Sequence, residues 1–210
     1  MQVEPFTYGL MGSVEGTDKI QRDGDVYTLT GDISGGIKVQ RNFTVIDGVG
    51  YTLQGNGEGK GIDLSTRTPS DPLIINVTVK NTRIVNFESG IHSLNNNTII
   101  GNYIADCGAG INIMGGSNNI IKNNTFANNI SPISIAYSSG GGHVITENSF
   151  INGTFIIVWL SPHPTVDRNY WSDYNGTDAD GDGIGDTPHF RIVGDETVYI
   201  DFHPLMEPVP

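Results

Sequence analysis

The residues of this chain best spaced for chemistry lie near its C-terminal end, in the run DADGDGIGD. Asp178, Asp180, Asp182 and Asp186 stand at positions 1, 3, 5 and 9 of that run, with Gly183 at position 6 and Ile184 at position 7. Calcium takes six to eight hard oxygen ligands, and this spacing, with the Ile184 carbonyl as the seventh-position ligand, matches the first nine positions of an EF-hand loop. Four carboxylates so close together repel one another unless a cation sits among them. The twelfth position is His189 where an EF-hand has glutamate. The closing ligand is therefore expected from Asp173, from Asp201 or from water. Calcium is the cofactor expected, with Asp178, Asp180, Asp182, Ile184 and Asp186 as its ligands, and its expected effect is to tie down the chain end, not to catalyse.

Composition narrows the classes around this loop. The formal net charge of −12 repels phosphate backbones, which argues against nucleic acid and anionic membrane surfaces. The excess is concentrated late: from Asp173 onward nine acids face one base, Arg191. Cys107 is the only cysteine, so no internal disulfide forms, and its setting ADCGAG suits a small buried residue. No run approaches the roughly 18 apolar residues of a membrane span. No basic, then apolar, leader opens the chain, so if secreted it is expected here in mature form. Seven Asn-x-Ser/Thr triplets, at Asn42, Asn76, Asn96, Asn123, Asn129, Asn152 and Asn175, are glycosylation candidates compatible with an extracytoplasmic surface.

The elements that must position these groups follow from a repeat. VTVKNTRIVNFESGIHSL, TIIGNYIADCGAGINIM, IIKNNTFANNISPISIA and VITENSFINGTFIIVWL are successive versions of one pattern, which stops at TVDRNYW. An asparagine column, Asn81, Asn102, Asn124, Asn148 and Asn169, steps by 21, 22, 24 and 21 residues. A second column sets Ile62, Ile91, Ile111 and Ile133 after Gly61, Gly90, Gly110 and Pro132, continued by Ile156 or Ile157. Self-similarity at this period marks a solenoid. Short strands rich in Ile and Val between Gly/Asn turns predict an all-β, single-stranded parallel β-helix whose core is a stacked column. Asparagines at stacked turns tolerate left-handed backbone and can form amide ladders.

Three regions follow. Residues 1–24 lack the period and are expected to cap the first coil, residues 25–169 form the helix, and residues 170–210 form a C-terminal cap containing the acidic loop. TRTPSDP, residues 66–72, reads as a projecting loop, the kind of excursion on which recognition is often carried. Trp159, Tyr170, Trp171 and Tyr174 are expected near one another at the end of the column, as packing. Glu88, His92, Asp106, Glu147 and Asp167 are expected to point outward. Glycosidase chemistry needs two carboxylates about 5–10 Å apart, but these five do not fall at one offset of the repeat and read as surface charges.

YTLTGDISGGIKV, VIDGVGYTLQGNGEGKGIDLS, the coil series and above all NYWSDYNGTD running into DGIGDTP and PLM together resemble the NosD-like, or CASH-domain, β-helix repeat proteins, a group abundant on archaeal cell surfaces. The resemblance implies a right-handed, secreted or surface-anchored parallel β-helix. It also brings two alternatives. Copper handling, associated with NosD itself, would need clustered ligands, whereas His92, His143, His163, His189 and His203 are scattered. Polysaccharide cleavage, known from pectate-lyase-like β-helices, would need acids aligned on one face. The function expected is a non-catalytic extracellular β-helix for glycan binding or surface assembly, with polysaccharide or surface glycan as partner and head-to-tail self-association through the stack ends.

Overall fold

The computed structural model describes residues 6–7, 14–65, 73–137, 140–153, 156–159, 162–193 and 196–210. The loop expected at 66–72 lies outside them, as does most of the stretch before Val14. Among the described residues there is no helix. The strands stack into three parallel sheets, of seven, seven and ten strands, and the chain visits them in turn on each coil.

The first sheet runs through Ile37–Lys38, Lys60–Asp63, Ser89–Ser93, Ala109–Met114, Ser131–Ala136 and Ile156–Trp159. The second runs through Ile33–Ser34, Thr52–Gln54, Arg83–Val85, Tyr103–Ala105, Thr125–Ala127, Ser149–Ile151 and Tyr170–Trp171. The third runs through Val26–Leu29, Val45–Asp47, Thr78–Lys80, Thr98–Ile100, Ile120–Lys122, Val144–Thr146 and Thr165–Asp167. An antiparallel strand ends the third sheet on each side: Ile20–Asp23 before Val26–Leu29, and His189–Val193 outside Glu196–Asp201, which itself pairs with Thr165–Asp167.

Strict register makes each sheet contribute one inward column. Ile37, Ile62, Ile91, Ile111, Ile133 and Ile156 stack in the first sheet, so the isoleucine column expected from sequence continues through Ile156. Leu53, Ile84, Ile104, Phe126, Phe150 and Trp171 stack in the second. Ile46, Val79, Ile99, Ile121, Ile145 and Val166 stack in the third. All are buried, and each such side chain contributes about 1.5–3 kcal/mol when removed from water. No coil buries both faces of its own column, so the coils are stable only together. The glycines before Ile37, Ile62, Ile91 and Ile111 stand where the next coil approaches closely: a Cβ on Gly90 would lie 2.6 Å from the Gly110 carbonyl and 2.8 Å from Ile104.

The asparagine ladder exists, one residue away from the expected start. The backbone N–H of Thr82 donates to Asn102 Oδ1, that of Asn102 to Asn124, that of Asn124 to Asn148 and that of Asn148 to Asn169. Asn81 is not a rung. It occupies the left-handed region at φ 51° in the exposed turn, and Thr82 holds the ladder position. A second corner carries Val77, Asn97, Asn119 and His143 in the same role, and a third has Asn129 accepting from the Cys107 N–H. Cys107 itself is buried, its thiol donating to the Ala105 carbonyl at 3.2 Å, and burial pushes its pKa up. It packs as expected of a small buried residue.

Candidate functional site

The acidic run folds back on itself. Asp178 accepts the N–H groups of Gly181, Asp182 and Gly183, Asp182 accepts that of Ile184, and Gly181 and Gly183 take positive φ. The hydrogen bond from Gly183 leads in holding the Asp178 carboxyl below its ordinary range. The result converges three carboxylates: one oxygen each of Asp178, Asp180 and Asp182 lies within 4.8 Å of the others. Hard, charged oxygens gathered on an exposed loop fit a calcium ion. Ile184 bridges antiparallel to Leu205, but the bonds of that bridge run through Gly185 N–H and Gly183 C=O, not through the Ile184 carbonyl. Asp186 stands outside the convergent group: it accepts from Thr177 Oγ1 and Ala179 N–H, bracing the loop.

Neither acid expected to close the loop does so among the described contacts. Asp173 turns to His189 Nε2 at 3.2 Å. Asp201 is fully buried and accepts five hydrogen bonds, from the N–H groups of Arg168, Asn169 and His203, from Asn169 Nδ2 and from Trp171 Nε1. It terminates the asparagine ladder, taking the donors that another asparagine would take on a further coil. The loop is joined to this end: Leu205 donates to Asn169, and Met206 donates to Gly183.

The four aromatic residues expected at the column end part company. Trp171 is 1% exposed and stacks on Phe150 at 4.3 Å, on His189 at 4.4 Å and on Tyr199 at 5.1 Å, with Tyr174 edge-on to His189. Burial lowers the His189 pKa, and burial also pushes the Tyr199 hydroxyl well above its ordinary range. Trp159 is elsewhere. It lies on the first sheet, 54% exposed, with its ring 5.0 Å from that of Tyr137, itself 51% exposed. Strand alternation separates the two tryptophans, which sequence proximity could not.

That first sheet has an outward row. Lys38, Asp63, His92, Asn112 and Ser134 occupy equivalent positions on successive coils, and the neighbouring row holds Met114, Ala136 and Trp159. At the near end the charges interlock. Lys38 Nζ is 2.9 Å and Lys60 Nζ 3.3 Å from opposite oxygens of Asp63, which also accepts from Ser65 Oγ at 2.6 Å. Burial pushes Asp63 up, but the Ser65 and Lys38 hydrogen bonds outweigh it and hold the carboxyl below its usual range. Burial, assisted by Lys60, lowers His92 and favours its neutral form, and neither ring nitrogen has a hydrogen-bond partner.

The remaining outward candidates fall in different rows. Glu88 is exposed beside Gly108, and Asp106 occupies a left-handed turn equivalent to those of Asn86 and Asn128. Glu147 pairs with Lys122 at 3.2 Å, and Asp167 with His203 at 2.7 Å. Register brings no two of these carboxylates opposite one another. His143 sits in a ladder and His189 on Trp171. Among the described residues, the convergent group of three potential metal ligands is the aspartate set and contains no histidine. Among the glycosylation candidates, Asn76, Asn96, Asn152 and Asn175 are exposed, and Asn42 and Asn123 are half-buried. Asn129 leaves the set: it is 4% exposed and its Nδ2 donates to the Ile104 carbonyl, so the nitrogen a glycan would need is inside the wall.

No curated protein and no solved structure matches the chain. The family model described as right-handed beta helix region matches residues 36–184, the span that carries the coils, the outward row and most of the acidic loop. With three parallel sheets visited in turn and that match over most of its length, the chain belongs to the right-handed β-helix family.

Proposed function

We propose that this protein is a non-catalytic, extracytoplasmic β-helix that binds a polysaccharide along the outer face of its first sheet, with calcium locking residues 170–210 as a C-terminal cap. One observation carries the binding reading: the polar row Asp63, His92, Asn112 and Ser134 runs beside the row Met114, Ala136 and Trp159, which ends at the exposed Trp159–Tyr137 pair. Strands in a sheet lie about 4.7–4.9 Å apart, so the four steps from the Asp63 coil to the Trp159 coil span about 19 Å. An extended sugar chain offers what such a strip demands, hydroxyls for the amide and hydroxyl side chains and an apolar ring face for an aromatic platform. Aromatic side chains exposed on a rigid sheet recognise ligands with little ordering cost. The extracytoplasmic placement draws on the exposed glycosylation candidates and on the NosD-like resemblance. Among the described residues no helix is long and apolar enough to cross a membrane.

The test is electrophoresis through gels containing a panel of neutral and acidic polysaccharides. A polysaccharide that retards the protein is expected to retard Trp159→Ala at least tenfold less, at unchanged melting temperature. Equal retardation of the variant would remove Trp159 from the site.

A second reading, assembly, has its own observation. The outer hairpin exposes Phe190 at 54%, Ile192 at 51%, Ile200 at 37% and Phe202 at 61%, with Phe190 directly opposite Ile200. This apolar patch beside an edge strand could support association of stack ends. Sedimentation velocity across a concentration series separates it from the binding reading.

A further inference from the structure

The end of the first sheet away from Trp159 carries a second feature. Where the coils of residues 33–36, 54–60 and 87 meet, a cleft of about 270 Å³ opens, with Ser34, Gln54, Asn56, Glu58 and Lys60 around it and Phe87 in its lining. That volume is below the 300–1,000 Å³ of pockets for drug-sized ligands, and suits a single ring. Its walls include glycines, and the space beside Gly59 is open: a Cβ placed there meets nothing within 4 Å.

The rim is built and held. Lys60 Nζ is fixed 3.3 Å from Asp63 Oδ1 and 3.3 Å from Ser65 Oγ, which ties the cleft to the charged end of the outward row. Asn56 Oδ1 accepts the Glu58 N–H at 3.2 Å, and Gln54 Nε2 donates to the Gly55 carbonyl at 3.0 Å. Those side chains are therefore positioned by their own turn before any ligand arrives. Chemically the lining is balanced: one ammonium, one carboxylate, two amides and a hydroxyl, above an apolar floor of glycine backbone and the covered Phe87 ring, which is 3% exposed. A charged ligand gains nothing net from such a set, and the protein's charge of −12 repels acidic chains besides. A ligand with an apolar ring face and a rim of groups that both donate and accept satisfies every part of it.

We propose that this cleft binds one neutral sugar ring, the end unit of the polysaccharide whose body lies along the first sheet. The inference rests on the binding function proposed above, and it adds polarity: the chain end docks near Gly59 and the interior units pass toward Trp159.

Titration calorimetry, with calcium present, against neutral disaccharides and hexasaccharides of glucan, mannan, galactan and xylan, and against oligogalacturonate, tests it. Asparagine tolerates the φ of +67° at Gly59, so Gly59→Asn is expected to fold, which an unchanged melting curve checks; Glu58→Ala, at an exposed side chain, is the second variant. Both are expected to weaken a neutral disaccharide and the matching hexasaccharide at least tenfold, while Trp159→Ala weakens the hexasaccharide alone. If neither cleft variant changes affinity while Trp159→Ala does, the cleft proposal fails and the binding face stands. Tighter binding of oligogalacturonate, lost in Gly59→Asn, overturns the neutral class. If the wild-type protein binds none of these sugars, both the cleft and the binding face are overturned.

Discussion

Asp201 shows most clearly how one residue closes a repeating structure. Each rung asparagine accepts from the coil before it and donates to carbonyls in turn, as Asn148 does to Ile121 and Thr146. At the last rung no further coil exists, and a carboxylate that only accepts is the side chain that fits five inward donors. Removing it leaves the buried Asn169 N–H and Trp171 Nε1–H without this acceptor. Asp201→Ala is expected to lower the unfolding free energy by about 3–5 kcal/mol, measured by urea denaturation; a loss under 1 kcal/mol would contradict the role. From sequence Asp201 is only one candidate, beside Asp173 and water, to close the metal loop; its ladder partner Asn169 lies 32 residues earlier, and pairing across that gap is a property of the terminal strand. The slip from Thr82 to Asn81 has a different origin: asparagine suits both a left-handed turn and a rung, so its type alone does not choose. His143 replaces asparagine in another ladder, accepting the Asn119 N–H through Nδ1, and protonation would remove that acceptor. Burial lowers the pKa of His143, His92 and His189. In the unfolded chain histidine titrates near pH 6.5, so the unfolded state binds more protons just below that pH, and stability falls as pH drops from about 6.5 toward the lowered native values. The melting temperature is expected to decline over that window, and His143→Asn, which restores an amide acceptor, to flatten the decline. A pH-independent melt between 7 and 5 would exclude this coupling.

Among the elements, the short strands were legible from sequence because a coil repeats its inward isoleucine and its turn residues at nearly constant spacing. The strand Glu196–Asp201 and its partner His189–Val193 were less so: they leave the repeat, run antiparallel to each other and carry a register shift between Arg191 and Ile192. The acidic loop was visible as a motif, and three of its four aspartates converge as the motif requires. What could not be read was its attachment, through Leu205 and Met206, to the last rung of the ladder. Through that attachment a calcium ion held by the loop would brace the whole end of the stack. At a hundredfold excess over its Kd, a bound ion contributes about 2.7 kcal/mol, which for a chain of this size raises the melting temperature by about 5–10 °C. Chelator is expected to abolish the gain, and Asp180→Asn to make the protein insensitive to chelator. An identical melt with and without calcium would refute the site.

At the scale of the molecule, three inward columns make a rod with three outer faces, and the proposed binding face is the one that carries Asp63, His92, Asn112 and Ser134 beside the exposed Trp159–Tyr137 pair. The all-β solenoid could be read from periodicity, since a β-helix writes its core into the sequence once per coil; its right-handedness was implied by the resemblance alone. The face could not, because outward positions carry no period: Asp63, His92, Asn112 and Ser134 have no common residue type, and only register aligns them. The exposed Trp159, too, reads as packing from sequence, whereas strand alternation places it outside. This face is proposed to hold a polysaccharide without cutting it. The most direct measurement incubates the protein, with calcium, with the polysaccharide panel and follows co-sedimentation and polysaccharide chain length together. Co-sedimentation at constant chain length, lost in Trp159→Ala, is the predicted result. Shortening of the polysaccharide, or no co-sedimentation with any member of the panel, would contradict it.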